Sequence, residues 1–405
     1  MAGPLSGIRI FDMTRILAGP TATQILADLG ADVIKVERPG TGDDVRGWGP
    51  PYLKTPDGAE APRDSVYFNA ANRNKRSITL NLADPEGQAL ARRLIARCDV
   101  VFENYKVGDL AKYGLAYDQI KDDFPSLVYC SLTGFGQTGP YAPRAGFDLV
   151  AQAMGGIMSI TGTEDQTPVK VGVGIADLMC GMYANTAILA ALRHRDATGE
   201  GQQIDMALLD TQVAWLVNEG MNHLHTGQVP RAWGTGHVSI VPYQAFPAAD
   251  GYFILAVGTD RQFVAFCDFV GRPDLHEDPR FATNADRVRN RAACVEAVSA
   301  ITRAHPVDYW LDNLARLKVP CAPVNTIDKV FQDPQVQARE MVVELDHPVS
   351  GKPERYIANP IKMSKTPPRY RRPAPTLGQH TDEVLAELLD MGADEVAALR
   401  ARGVV

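Results

Sequence analysis

From Ile8 to Leu132 short apolar runs alternate with amphipathic stretches, and this alternation restricts the fold more than any other feature of the chain. Ile8 to Met13 reads as a buried strand, and Pro20 to Leu29 as a helix with proline near its first turn. Gly30 can close that helix, and Asp32 to Glu37 is a second strand. Ser77 to Leu82, Val100 to Glu103 and Ser126 to Leu132 follow as strands, with a helix opened by Asp84-Pro85-Glu86 and ending near Arg97. Such alternation implies a mostly parallel sheet covered by helices, so the fold class is α/β with a Rossmann-like large domain. Helices dominate from Leu149 to His194, followed by a strand at Gln203 to Leu208 and a helix through Val217. The large domain is expected over 1–226, the Gly, Pro and aromatic-rich stretch 227–246 as a linker, and 247–322 as a smaller α+β domain. Residues 323–405 then read as a return segment completing the large domain, with Pro367 to Pro373 as an extended arm.

A chain of 405 residues accommodates two such domains. Its formal net charge of -7 argues against a general nucleic-acid binder. No apolar run is expected to cross a membrane, and the start Met1-Ala2-Gly3-Pro4-Leu5 lacks the regions of a secretory signal. The expected compartment is the cytoplasm, or the mitochondrial matrix of a eukaryote once a transit peptide is gone. Cys98, Cys130, Cys180, Cys267, Cys294 and Cys321 form no CxxC pair, the pattern of reduced thiols. His223 and His225 are the one close histidine pair, without a third ligand nearby, so no metal is expected.

The loop Arg15 to Pro20 follows the first strand and feeds a helix N-terminus, where phosphates and ligand tails settle in such sheets. The GxGxxG fingerprint and the GxxxxGK[ST] loop are both absent, which counts against nicotinamide, flavin and phosphoryl-transfer chemistry. Arg38, Arg73, Lys75, Arg76, Lys106 and Lys112 cluster at strand ends. Singly each reads as a solvated surface charge; together they suit a polyanion with an aromatic head, such as coenzyme A, with Arg38 stacking on adenine and Lys112 meeting phosphate. Asp177, in Gly174-Ile175-Ala176-Asp177, stands in the first turn of a long apolar helix. That position suits either a helix cap or a reactive carboxylate facing unpaired backbone N–H groups.

Asp12-x-Thr14-Arg15-x-Leu17-Ala18-Gly19-Pro20, Gly30 to Glu37, Asn74-Lys75-Arg76-Ser77-Ile78, Val101 to Tyr105, Gly134-Phe135-Gly136 and the stretch around Asp177 resemble the family III CoA-transferases, the CaiB/BaiF type. The blocks run in family order through Leu377-Gly378-Gln379-His380-Thr381. The resemblance implies an interlocked homodimer of two-domain subunits, Asp177 as the nucleophile that carries the acyl group, and no tightly bound cofactor beyond the CoA thioester substrates. By position it places Ile16, Ala18, Arg38, Leu80, Asn104, Tyr105 and Lys112 in the CoA site. Leu17 departs from the glutamine of formyl-CoA transferase, and the glycine-rich loop of that enzyme is reduced here to Val257 to Gln262, leaving Gly258 as a weak counterpart. Arg231 to His237, Ser239 to Phe246 and Gly42 to Pro51 are similar to the succinyl-CoA:glutarate branch, which implies a dicarboxylate acceptor. Arg46, Arg73 and Arg231 are then the candidates for holding the remote carboxylate, and His237 for bonding the acyl group.

Two rivals stand beside this reading. An α-methylacyl-CoA racemase needs a histidine where this chain has Phe147, before Asp148, and phenylalanine transfers no proton. A non-catalytic acyl-CoA binding protein would keep the basic cluster and have no need of Asp177.

Overall fold

The first strand, β1 (Arg9–Met13), leads into a helix (Ala18–Asp28) and returns as β2 (Asp32–Glu37). After the hairpin of β3 (Tyr52–Lys54) and β4 (Glu60–Ser65) come β5 (Lys75–Thr79), β6 (Val100–Glu103), β7 (Val128–Thr133) and β8 (Gln202–Ala207). These lie in a six-stranded sheet of order β5-β2-β1-β6-β7-β8, parallel at every pairing. The computed structural model describes residues 3–405; Met1 and Ala2, the start of the segment searched for a leader, lie outside the described residues.

Alternate strand residues face opposite ways, and both faces are covered, as parallel sheets require. Ile10, Val33, Val100, Phe102, Val128 and Cys130 bury themselves against the first helix and a long helix, Ile175–Thr198. Phe11, Ile34, Val36, Ile78, Val101 and Tyr129 pack under Pro85–Ile95 and the C-terminal helices Thr381–Leu389 and Ala393–Ala401.

One strand differs from expectation. β5 begins at Lys75 rather than Ser77 and ends at Thr79 rather than Leu82. Lys75 is wholly buried because its ammonium donates to Asp12 Oδ2 (3.3 Å) and to Pro20 O and Asn72 Oδ1 (both 2.9 Å). Arg76 is held by Asp32 (2.5 Å) and Glu387 (2.6 Å). A hydrophobic pattern starts the strand late because it does not register partners that make a buried cation tolerable. These contacts remove Lys75 and Arg76 from the expected ligand-facing basic cluster, and a buried pair with Asp28 (2.6 Å) removes Arg73.

The long helix is, by length and composition alone, long and apolar enough to cross a membrane, where no such run was expected. Its buried face, from Ala176 and Cys180 to Leu192, lies in the core beneath the sheet. Gly181 makes this packing close: a Cβ there would stand 2.6 Å from the carbonyl oxygen of Ala18. Asp177, four residues earlier, shares that helical face, so the same contact aims it toward the loop before the first helix.

The chain divides into two compact units. The first comprises the chain up to Ile157, Lys170–Gly227 and Gln337–Val405, and includes the antiparallel pair β12 (Val342–His347) and β13 (Lys352–Ile357). The second comprises Met158–Val169 and Gln228–Val336. Its antiparallel sheet, β11-β10-β9, is built from β9 (Tyr243–Pro247), β10 (Tyr252–Ala256) and β11 (Cys321–Pro323). Phe253 and Trp310 stack at its core with centroids 5.9 Å apart. The stretch 227–246 is thus not a free linker: Tyr243 to Phe246 pair with β10, and the buried Arg287 donates to the Val241 carbonyl (2.7 Å).

Candidate active site

Strands are added in opposite directions on either side of β1 and β6, and the loops leaving those two strands part to form a crevice. Asn104, just past β6, clamps the β1 loop: its Oδ1 accepts the Arg15 N–H (2.9 Å) and its Nδ2 donates to the Arg15 carbonyl (2.8 Å). The next residue, Ile16, sits at φ 72°, a strained conformation for a β-branched side chain. Its N–H points at the two carboxylate oxygens of Asp43, 3.2 and 3.3 Å away. Asp43 is buried with Lys35, whose ammonium donates to it (2.9 Å) and to the Thr14 carbonyl (3.0 Å). This internal ion pair fixes the turn that presents Leu17 and Ala18.

Two clefts open from the crevice. One, of about 240 Å³, is lined by Ile16, Ala18, Asn104, Tyr105, Lys106, Arg144, Phe147 and Asp177, among others. The other, of about 250 Å³, is lined by Arg38, Leu80, Leu82, Tyr105 and Tyr113. Arg15, Tyr105 and Asp109 belong to both. The residues expected around CoA therefore distribute over two adjoining clefts, Lys112 excepted. Lys112 is exposed outside both linings and paired with Asp109 (2.6 Å). Arg38, over half exposed, pairs with Asp44 (2.7 Å), which leaves the flat face of its guanidinium available for stacking.

At the start of the long helix the carboxylates of Asp148 and Asp177 divide two tasks. Asp148 Oδ1 accepts the N–H groups of Ala176 (2.8 Å) and Asp177 (3.3 Å), and its Oδ2 accepts from Gln152 (2.7 Å). Asp148 is therefore the helix cap, supplied by the first residue of the helix Asp148–Met154, 29 positions before Asp177. Gly174 makes room for it: a Cβ there would lie 3.5 Å from the Asp148 carboxyl carbon and 3.0 Å from Leu17 Cδ2. The N–H groups expected to face Asp177 are thus already taken. Among the described residues the Asp177 carboxylate accepts no hydrogen bond, and it lines the cleft.

Burial, and then the negative charge of Asp148, push the Asp177 carboxyl up from 3.8 to about 7. The field of both carboxylates also reaches the phenol of Tyr67, raised by burial first and then by Asp177 and Asp148. A carboxylate, not a carboxylic acid, is the nucleophilic form, so any reaction that uses Asp177 as a nucleophile is expected to show a kcat/KM that rises with pH and levels off above about 7. Asp148→Asn keeps an acceptor for the helix but removes the like charge, so a pH–rate profile should show its midpoint moved to lower pH. A carboxyl raised on folding also weakens the fold as pH climbs from 3.8 to about 7, because the native state then binds more protons than the unfolded one. Asp177→Asn should accordingly raise the melting temperature of the ligand-free protein at pH 8 and leave it nearly unchanged at pH 4.

A Rossmann-like sheet, a crevice at its switch point and an unbonded acid at the crevice end are shared by many α/β proteins, and comparison with known sequences separates them. The model of "CoA-transferase family III" matches residues 5–381. The chain belongs to CoA-transferase family III. A succinate–glutarate CoA-transferase of Agrobacterium fabrum is 49% identical over 385 residues, covering 95% of this chain and 96% of its own. The human succinyl-CoA:glutarate CoA-transferase is 43% identical, over 99% of this chain and 90% of its own. Among solved structures, a CAIB/BAIF family protein from Brucella suis superposes with a TM-score of 0.84 at 46% identity, covering 96% of this chain and all of the other.

Within this family III member, two of the arginines expected to hold a remote carboxylate are engaged internally. Arg46 is buried, its Nε and Nη2 on Glu37 (2.7 and 2.8 Å) and its guanidinium 3.7 Å over the Phe68 ring. Arg73 is buried on Asp28, at 3.0 and 2.6 Å. Arg73 spends its remaining nitrogen on the Ile357 carbonyl (2.8 Å), and Arg46 Nη1, which makes no hydrogen bond, is buried 3.6 Å from Asp64; neither side chain lines the cleft. Arg231, His237 and Gly258 all belong to the second unit. There Arg231 is exposed with its guanidinium 4.0 Å over Trp233, the His237 ring accepts the Ser239 N–H (3.0 Å) and packs on Tyr243, and the Gly258 N–H donates to Gln262 (3.0 Å). Phe147, more than half exposed, lines the cleft beside Asp177 and carries no titratable group. Arg144 and Tyr67, which no sequence pattern singled out, are the additions that the geometry makes.

Proposed function

We propose that the protein moves CoA from succinyl-CoA to glutarate or a similar dicarboxylate, with Asp177 as the covalent carrier. The observation that carries the reading is the Asp177 carboxylate itself, half-buried, without a hydrogen bond among the described residues and lining a cleft joined to the crevice. The names of the Agrobacterium and human relatives support the substrate pair.

An Asp177 oxygen attacks the thioester carbonyl of succinyl-CoA, the C–S bond breaks, and an acyl–aspartyl anhydride and CoA thiolate result. The thiolate attacks the aspartyl carbonyl, expelling succinate and leaving an aspartyl-CoA thioester. A carboxylate oxygen of the acceptor displaces CoA thiolate to form a second anhydride. Attack of the thiolate on the acceptor carbonyl gives the new thioester and regenerates Asp177. Splitting one exchange into these steps is covalent catalysis. Every group in the sequence comes from Asp177 and the substrates, so no resident cofactor is called for. Oxyanion donors must come from elsewhere than Ala176 and Asp177, whose N–H groups serve Asp148.

Ile16, Ala18, Asn104 and Tyr105 would hold the pantetheine side of CoA, and Arg38 and Leu80 the adenine side, with Lys112 at the rim. The subunit would act as an interlocked homodimer of a large and a small domain. Exposed Met182, Tyr183, Leu189, Val213 and Trp215 support apolar self-association. Mass spectrometry of thioesters formed from succinyl-CoA with a panel of dicarboxylates tests the function. New acyl-CoA species appearing as succinyl-CoA declines are expected; no exchange with any diacid sinks the reading.

A further inference from the structure

A diacid acceptor brings a second carboxylate into a cleft that already holds Asp177, with Asp148 behind it. Unless a fixed cation meets that remote charge, repulsion disfavours every diacid relative to a monoacid. Arg46 and Arg73 are buried on internal pairs, Arg231 belongs to the second unit, and none of the three lines the cleft, which leaves the cations of its own lining. Three candidates line it on the first unit: Arg15, Lys106 and Arg144. Arg15 is drawn to Asp44 (3.4 Å), lies 5.0 Å over Tyr105 and with it lines both clefts, which puts it on the proposed CoA path. Lys106 follows Tyr105 in the same stretch.

Arg144 is placed differently. It sits on the loop between β7 and the Asp148–Met154 helix, four residues before the carboxylate that caps the Asp177 helix. Its guanidinium lies 4.6 Å over Tyr141 and 5.3 Å over Phe135, and those rings contact each other edge to face. The Arg144 N–H closes a turn on the Tyr141 carbonyl (2.9 Å). Gly146 and Gly134 then meet backbone to backbone: a Cβ on Gly146 would stand 2.4 Å from the Gly134 Cα, so the path of the loop is fixed. Among the described residues no carboxylate pairs with Arg144. A guanidinium oriented by two rings keeps its N–H edge free for bidentate capture of a planar anion.

We infer that Arg144 receives the remote carboxylate of the dicarboxyl substrates and so sets the preference for diacids over monoacids. This rests on the transferase reading above and names the residue behind its substrate class. The same contact serves the free carboxylate of the succinyl donor and that of the acceptor, because the two occupy the acyl end of the cleft in turn.

The experiment compares glutarate with pentanoate, which has the same chain length and lacks the second carboxylate. Pentanoate is read as an acceptor or, where it does not turn over, as a competitive inhibitor against glutarate. Arg144→Gln should raise the KM for glutarate about 10- to 100-fold, the range of a lost charge-assisted hydrogen bond. The constant for pentanoate should stay within about twofold, so the preference collapses. Arg144→Lys, which keeps the charge without the fork, should recover part of the loss. Equal losses for both acids would overturn the assignment, since a merely structural Arg144 moves them together. A raised KM for a monocarboxyl donor such as butyryl-CoA, with the acid preference intact, would overturn it too and place Arg144 on CoA. Wild-type protein that transfers CoA to no diacid sinks the transferase reading itself; wild-type transfer with preference unaltered in both variants sinks Arg144 alone.

Discussion

Asp177→Asn is expected to reduce CoA transfer by roughly 10³-fold or more while CoA still binds. The substitution keeps the shape of the side chain, so the long helix and its close contact at Gly181 should persist. Only the proposed nucleophilic oxygen is lost, and a neutral amide would not form the proposed anhydride. Because CoA is a polyanion, removing a neighbouring carboxylate leaves its affinity equal or slightly improved. Intact-mass measurement supplies a second readout: wild-type protein with succinyl-CoA should carry a CoA adduct that the variant lacks. Turnover within about tenfold of wild type would place the nucleophile elsewhere. Loss of both turnover and CoA binding would instead give Asp177 a structural role. No exchange by wild type, with tight CoA binding, would favour the non-catalytic binding protein.

Much of this site is legible in the amino-acid order because the elements that build it are local. The alternation from Ile8 to Leu132 yields the parallel sheet, and β2 (Asp32–Glu37) and β6 (Val100–Glu103) fall where the apolar runs end. The crevice follows from the sheet, which is why the loop just past β1 reads as a ligand site; that Asn104, just past β6, clamps Arg15 there is what the structure adds. What local pattern does not encode is pairing over long separations. Asp148 caps a helix that begins 27 residues later, and a lone Asp before an apolar stretch gives no sign of that. Arg46 and Arg73 read as free cations because their partners, Glu37 and Asp28, belong to other elements. Arg144 escapes a sequence pattern for the converse reason: a loop arginine follows no period, and its proposed role rests on the carboxylate partner that it lacks among the described residues.

Arg73→Met is expected to destabilise the protein by about 3–5 kcal/mol, the scale for breaking a buried ion pair. Asp28 is fully buried at the end of the first helix, and Arg73 answers it with Nε at 3.0 Å and Nη2 at 2.6 Å. Asn74 (2.7 Å) and Asn359 (3.1 Å) also donate to Asp28, but both are neutral. Arg73 reaches further, donating to the Ile357 carbonyl (2.8 Å) and lying 5.2 Å from the Tyr370 ring, so it ties the first helix to the C-terminal return segment. Methionine restores the volume and no charge, leaving an uncompensated carboxylate in the interior. Adding Asp28→Leu should recover part of the stability, because the penalty lies in the orphaned charge more than in the missing contact. Denaturant midpoints at pH 7 measure both variants. For folded Arg73→Met protein the KM for glutarate should stay within about twofold of wild type, since the side chain is enclosed on Asp28 and absent from the cleft lining. A tenfold rise in that KM with an unchanged midpoint would return Arg73 to the substrate. It would then show that the ion pair opens during turnover, with Asp28 left to the two asparagines and the return segment loosened each time a diacid binds.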